Sequence, residues 1–329
     1  MNEDLSPIQR VLLETFKAFA KICKENDIKY YAASGTMLGA IRHKGFIPWD
    51  DDVDVFMLPE DYAKLLSLKD SLKETNYRVA DFHDEGYPYP FAKFYDNTKT
   101  FWEYKQFPFI MGPFIDLFPL HEYDDHNEEY KKLDDDIHAA FWSYRKAISS
   151  QTWNEIFMDL VTLNGFEGPI KLVKKLFYVP QKKRFYQRIE KLYQQICSAK
   201  GSLYRPYWDI KHLNYRKEWF ANSIAVPFED MEILVPNGYH EILTALYKDY
   251  MTPPPTPSRT GHHTAYYMNL ERRVNIEEIM KEKKNEVSEK KPMPLSVIWD
   301  EIKQRKGFNC HTLRTRLRGR GHQETRHLR

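Results

Sequence analysis

The sequence predicts an α/β fold in which helices alternate with strands and a large, mostly helical insertion interrupts the alternation. Three observations lead there. Short apolar runs with alternating character fall between helical periods over residues 28–118, and return at 224–236. The stretch 122–200 changes to charged and aromatic residues at helical spacing. Finally, 42% hydrophobic and 15% aromatic residues in a chain of 329 supply a real core and exclude global disorder.

The elements follow in order. Residues 6–25 read as an amphipathic helix, with Ser6 as N-cap, Pro7 at the first helical position, and Ile8, Val11, Leu12, Phe16, Phe19 and Ile22 at helical spacing. Residues 28–33 read as a strand and 36–42 as a short helix opened by the turn Ser34-Gly35-Thr36. The alternating run 52–58 is a second strand and 60–74 a helix. Further strands are expected at 77–82, 91–96 and 114–118. Residues 224–236 return to strand character, 237–250 to helix, and TPPPTP at 252–257 is a stiff extended segment. Residues 276–291 read as a solvated helix. The expected organisation is a catalytic core over 1–121, a helical insertion over 122–221 that would face the acceptor, a return to the core over 222–275, and a charged helix with a basic tail over 276–329.

Charge is unevenly placed. The net +2 combines a tail, from residue 302 on, of nine Lys/Arg against one acid with a body of −6. An acidic body gives no general electrostatic case for duplex nucleic acid. The tail has few apolar residues and is expected to be disordered. It could hold the chain at an anionic membrane surface. Cys23, Cys197 and Cys310 lie far apart, with neither disulfide nor zinc spacing, as suits a reducing compartment. The polar N-terminus is unlike a signal peptide and no apolar run approaches a membrane span, so the expected location is cytoplasmic, with the inner face of the membrane as a possible address.

The informative stretch is Gly35-Thr36 followed after fifteen residues by Asp52-Val53-Asp54. On a strand, Asp52 and Asp54 would share a face, where like charges repel unless a cation lies between them. Hard carboxylate oxygens so placed suit Mg²⁺, or Mn²⁺. The Gly35-Thr36 turn opens a helix, whose first N–H groups can take phosphate oxygens. A D-x-D pair, an acidic turn and a Gly-Thr turn are each commonplace alone. In this order they describe phosphoryl transfer, which is mostly positioning and charge neutralisation.

The segment SGTMLGAIRHKGFIPWDDDVDVFM at 34–57 closely resembles the signature of the LicD family, phosphocholine transferases related to fukutin. GPFIDLFPL at 112–120, VPNGYHEILTALYKDYMTPPP at 235–255 and GHH at 261–263 resemble it too. The resemblance covers roughly residues 5–122 and 222–272. It implies a nucleotidyltransferase-type fold, a small mixed β-sheet flanked by helices. It implies a divalent metal and a CDP-linked donor such as CDP-choline or another CDP-alcohol. The implied acceptor is a glycan, free or lipid-linked, of lipopolysaccharide, teichoic acid or glycoproteins. By this match Asp52 and Asp54 are the metal pair and Asp116 the third carboxylate, a residue that would otherwise read as a strand-end acid capping a turn.

Other residues are weighed against plainer roles. Arg42, His43 and Lys44 could neutralise the diphosphate or form a solvated basic loop. Lys93 could reach a phosphate or be an edge-strand lysine. His262 and His263 gain a site role only from the resemblance. Asp50 and Asp51 are read as fixing the loop or supporting the metal from behind. A choline head group is recognised by aromatic faces, and Tyr87, Tyr89, Phe101, Trp102 and Tyr104, between the two acidic segments, are candidates for such a cage or plain core residues. Two competing functions remain: a D-x-D glycosyltransferase using a nucleotide-sugar, disfavoured by the mere fifty residues before the D-x-D, and a non-catalytic binding module, disfavoured because unused clustered carboxylates cost stability.

Overall fold

A computed structural model describes residues 5–149, 156, 167–207, 213–259, 261 and 265–289. Helix α1, Pro7–Glu25, begins at a capping box: the Ser6 hydroxyl accepts from the Gln9 N–H at 3.3 Å, and the Gln9 side-chain Oε1 accepts from the Ser6 N–H at 3.0 Å. Its buried face, Leu12, Phe16, Phe19 and Cys23, packs on the sheet, with Phe19 edge-on to Phe94 at 5.3 Å. Truncating Phe19 to Ala would cost about 3–5 kcal/mol.

The main sheet runs β1 (Tyr31–Ala32), β2 (Asp54–Met57), β6 (Phe114–Tyr123), β4 (Ala92–Asp96), β3 (Tyr77–Ala80). Only the β2–β6 pair is parallel among these neighbours. The mixed sheet flanked by helices is therefore the expected α/β architecture. Val55, Leu117 and Ala92 stand opposite one another across three strands and enter the core, while Asp54, Asp116 and Lys93 form the neighbouring row on the other face.

Strand β1 is shorter than the expected 28–33, and β2 starts at Asp54 rather than residue 52. The chain before β2 is held elsewhere: the buried Gln9 side chain donates to the Ile47 carbonyl at 3.3 Å and the Asp50 carbonyl at 2.9 Å, closing the turn at Pro48. Asp52 thus lies in a loop, and strand alternation does not set its direction.

Helices α2 (Ser34–His43), α3 (Pro59–Ser67) and α4 (Lys69–Leu72) connect the first strands. Beyond β6, α5 (Glu128–Ile148) pairs with α7 (Lys182–Ser198), reached through α6 (Glu167–Val173), a π-turn (Lys174–Tyr178) and a 3₁₀ turn (Val179–Gln181). A second core of Ile137, Phe141, Tyr144, Ile189, Leu192 and Ile196 joins them. The insertion is not purely helical, however. Strand β6 runs past the other strands, and its far half, Leu120–Tyr123, pairs with β7 (Leu203–Pro206), which pairs with β8 (Tyr215–Arg216), making seven strands in all. The insertion is anchored there by a buried Arg205–Asp134 ion pair with the Arg205 guanidinium 3.5 Å over the Tyr123 ring.

Strands β9 (Ser223–Phe228) and β10 (Met231–Pro236) form a hairpin, and a short pair joins β5 (Thr100–Trp102) to β11 (Tyr267–Asn269). At the hairpin tip Glu229 donates its N–H to the Lys44 carbonyl at 2.8 Å and accepts from the Phe46 N–H at 2.9 Å, bracing the loop behind α2. Helix α8 (Tyr239–Tyr247) follows.

The chain divides into two compact units, Met1–Ile276 and Glu277–Arg329. Residues Ile276–Glu289 are helical (α9); the basic tail lies outside the described residues. Among the described residues no helix is long and apolar enough to cross a membrane.

Candidate active site

A cleft of about 500 Å³ opens where α2, the loop before β2 and the segment after α8 meet. Its wall includes Ser34, Gly35, Arg42, Trp49, Asp50, Asp52, Asp54, Tyr247, Asp249 and Tyr250. Two segments two hundred residues apart in sequence therefore build one site.

The acids are positioned by backbone contacts. Thr36 is buried, and its hydroxyl accepts from the Asp54 N–H at 2.8 Å, tying α2 to the start of β2. That hydroxyl keeps its own proton for another acceptor. Asp50 is buried against the first turn of α2: a Cβ on Gly35 would lie 2.7 Å from its carboxylate. A larger residue at 35 would push this carboxylate aside, and the helix start favours the negative charge. The expected phosphate cradle at Gly35-Thr36 thus has an acid of the protein itself beside it. Ser34, just before, adopts the left-handed region at φ 43°, which for a non-glycine residue costs of order 1 kcal/mol.

Asp50, Asp51 and Asp52 each bring a carboxylate oxygen within 4.8 Å of the others. Asp54, half-buried, lines the same cleft two residues further on. Asp116 stands directly opposite Asp54 across the parallel strand pair. The acids foreseen at 52, 54 and 116 therefore lie on adjoining pieces of backbone, but the tightest group is 50–52.

On its other side Asp116 is 2.9 Å from the Lys93 ammonium, which also lies 3.7 Å from Glu103. Lys93 is 1% exposed, with the Phe114 ring centroid at 3.4 Å and the Tyr89 ring at 4.0 Å. It is neither an edge residue nor open to an incoming phosphate: it is a buried counter-charge. Tyr89 donates to Glu103 from the same cluster. Of the aromatic candidates, Tyr87 and Trp102 are interior residues, their polar atoms donating to the Phe91 carbonyl at 2.8 Å and the Phe107 carbonyl at 2.7 Å. Phe101 is buried as well, and only Tyr104 is exposed. None of these five is in the wall of this cleft.

Arg42 is the one member of the 42–44 group in the wall, and its guanidinium donates to the Tyr250 carbonyl at 2.7 Å and to His43 Nδ1 at 3.4 Å. Burial, then the charge of Arg259, lowers its proton affinity. Burial and Arg42 together lower that of His43, which keeps the imidazole neutral at pH 7. Lys44 is exposed at the end of α2 in the left-handed conformation. His262 and His263 lie outside the described residues; Gly261 just before them packs against the Asp51 carboxylate.

The structure adds residues that no spacing argument pointed to. Tyr247 rises from the end of α8, its phenol held protonated by burial and by the charges of Asp54, Asp50 and Asp52, although the residue is 36% exposed at the rim. Asp249 accepts from the Thr252 hydroxyl at 2.7 Å beside it. Arg259 sits 5.1 Å over the Trp49 ring. The arrangement is an acidic floor with guanidinium groups at one side, able to bind a divalent cation and a phosphate chain together.

Comparison with known proteins bears on the same segments. Residues 27–159 match the family described as LicD/FKTN/FKRP, nucleotidyltransferase domain. The chain is similar to the lipopolysaccharide cholinephosphotransferase LicD of Haemophilus influenzae, 31% identical over 265 residues, covering 78% of this chain and 94% of that protein. A shorter similarity, 35% over 60 residues, covers 18% of this chain and 12% of the human ribitol 5-phosphate transferase FKRP. An uncharacterized protein of Rickettsia typhi is 38% identical over 68 residues, 21% of this chain and 22% of its own length.

Proposed function

The chain belongs to the LicD family, and on that premise we propose that it moves phosphocholine, or a similar phospho-alcohol, from a CDP-activated donor to a hydroxyl of a cell-surface glycan or its lipid-linked precursor. The observation that carries the reading is the cleft whose wall holds Asp50, Asp52 and Asp54 together with Arg42. The CDP donor rests on the family resemblance alone, and the phosphocholine group on the name of the Haemophilus relative, a cholinephosphotransferase.

The oxygens of Asp50–Asp52 within 4.8 Å fit a divalent cation, because like charges at that range repel without one. Asp52 and Asp54, with Asp50 and Asp51 beside them, would hold Mg²⁺ or Mn²⁺, and the bound cation would neutralise phosphate oxygens. Arg42, steadied by the Tyr250 carbonyl, would orient the diphosphate, with Arg259 as a second guanidinium nearby. Asp116, fixed by Lys93, would orient the acceptor hydroxyl or accept its proton. The new bond joins the acceptor oxygen to the distal phosphorus, the phosphorus–oxygen bond to CMP breaks, and CMP leaves with the electron pair.

The test is a donor screen. The pure protein with Mg²⁺ should release CMP from one of a panel of CDP-alcohols in the presence of glycan acceptor, and EDTA should abolish release. Full turnover in metal-free buffer would end the metal role. Release of UDP from UDP-sugars, with no CMP from any CDP-alcohol, would hand the site to a glycosyltransferase.

A further inference from the structure

Soluble helices turn apolar side chains inward, and the segment from α6 to the start of α7 does the reverse. Ile170, Val173, Leu176, Phe177 and Val179 are all exposed, Leu176 at 52% and Phe177 at 62%. The π-turn and the 3₁₀ turn contain no buried residue. Trp142, 51% exposed, adds an indole from α5, one turn before Lys146, whose ammonium lies 5.0 Å over the Tyr178 ring. Residues 167–184 also carry Lys171, Lys174, Lys175, Lys182, Lys183 and Arg184 against the single acid Glu167. Exposed apolar residues gathered in one place mark an interaction surface.

We infer that this surface docks on an anionic lipid bilayer, with the apolar side chains of 170–179 entering the acyl boundary and the surrounding lysines meeting lipid phosphates. Charge decides the occupant. Basic residues around a large apolar face, with an indole at the margin, are the pattern of interfacial helices. A second copy seated on the same face would bring two strongly positive surfaces together, since a two-fold contact opposes each patch to itself. Burial and the charges of Lys146 and Lys171 already lower the proton affinity of Lys174, and phosphate would relieve that crowding. The surface lies in the insertion, shares no residue with the cleft wall, and would bring the protein to a membrane-borne acceptor. That use rests on the proposed reaction, whereas the docking does not.

Vesicle flotation separates the two. The full chain should float with phosphatidylglycerol-containing vesicles more strongly than with phosphatidylcholine alone. The double variant Leu176→Asp/Phe177→Asp should bind at least roughly a hundredfold more weakly, since two apolar side chains that enter the acyl boundary are replaced by charged ones. Its melting transition should be unchanged, both residues being exposed. Brominated acyl chains should quench wild-type fluorescence, and Trp142→Phe should remove most of that quenching. Wild-type binding by the double variant would overturn the inference. So would a dimer that Phe177→Asp disperses while no vesicle binding is seen at all. CMP release with a soluble acceptor, measured on the same samples, reports separately on the reaction.

Discussion

Asp116 lies between charges of opposite sign, with Asp54 across the parallel pair and Lys93 across the antiparallel one. Removing the cation would leave Asp116 and Glu103 buried without it, so Lys93→Met should destabilise the fold by about 3–5 kcal/mol. Urea denaturation would show it, and a change under 1 kcal/mol, about the worth of a surface pair, would contradict the burial argument. Asp52→Asn and Asp54→Asn act in the opposite sense. Each relieves repulsion in the cleft, so the melting temperature should hold or rise. The proposed turnover should fall roughly a hundredfold or more, the scale of losing preorganised charge stabilisation. Loss of fold in either variant would mean that the carboxylate is structural. The acids at 52 and 54 were legible because paired carboxylates beside a Gly-Thr turn are a costly pattern without a ligand. Tyr247, Asp249 and Arg259 were not, because nothing local marks a tyrosine at a helix end as the neighbour of aspartates two hundred residues earlier. Lys93 was misjudged for a related reason: strand period shows which face a lysine takes, but not that Phe114, Tyr89 and Glu103 close over it.

Elements were legible where their signal is long. Helix α1 has a capping box and five turns of apolar period, and it appears within a residue of expectation. Two- and three-residue strands such as β5, β8 and β11 carry too few side chains for a period, and exist because a partner backbone is at hand. The helical reading of the insertion missed β7 for the same reason. Between elements, His83 clamps the end of β3 to α7: its Nδ1 is 3.1 Å from Asp81 and its Nε2 3.2 Å from Glu190. The hydrogen bond that His83 donates to the Asp81 carboxylate raises its proton affinity above the usual value, against the effect of burial, with further help from the Asp81 and Glu190 charges. The folded state then holds this proton more tightly than the unfolded chain does. The stabilisation is complete below the unfolded value, about pH 6.5, and fades as pH rises through the raised folded value. Wild-type and His83→Asn melting temperatures should therefore differ most near pH 6 and converge at higher pH. A gap that stays constant across this range would show that the clamp works without its charge.

Across the whole molecule, charge and apolar surface are segregated. The body to residue 301 is acidic and the tail beyond it carries +8, while the apolar face at 170–179 lies in an otherwise basic stretch. Two kinds of membrane attraction follow, with different salt dependence. Basic residues contribute about 1 kcal/mol each near an anionic surface, within a screening length of roughly 10 Å at 0.1 M salt. Apolar insertion is nearly indifferent to salt. Ending the chain after Lys306 removes six arginines and one glutamate, and almost nothing that could join a core. The shortened protein should melt at the same temperature and turn over a soluble acceptor unchanged. It should bind anionic vesicles less tightly than the full chain at about 0.05 M salt, and equally at about 0.5 M, where the tail is screened. The Leu176→Asp/Phe177→Asp variant should instead lose binding at both. Equal weakening of the shortened protein at both salt concentrations would show that the tail inserts rather than attracts. A lowered melting temperature would place the tail within the folded body.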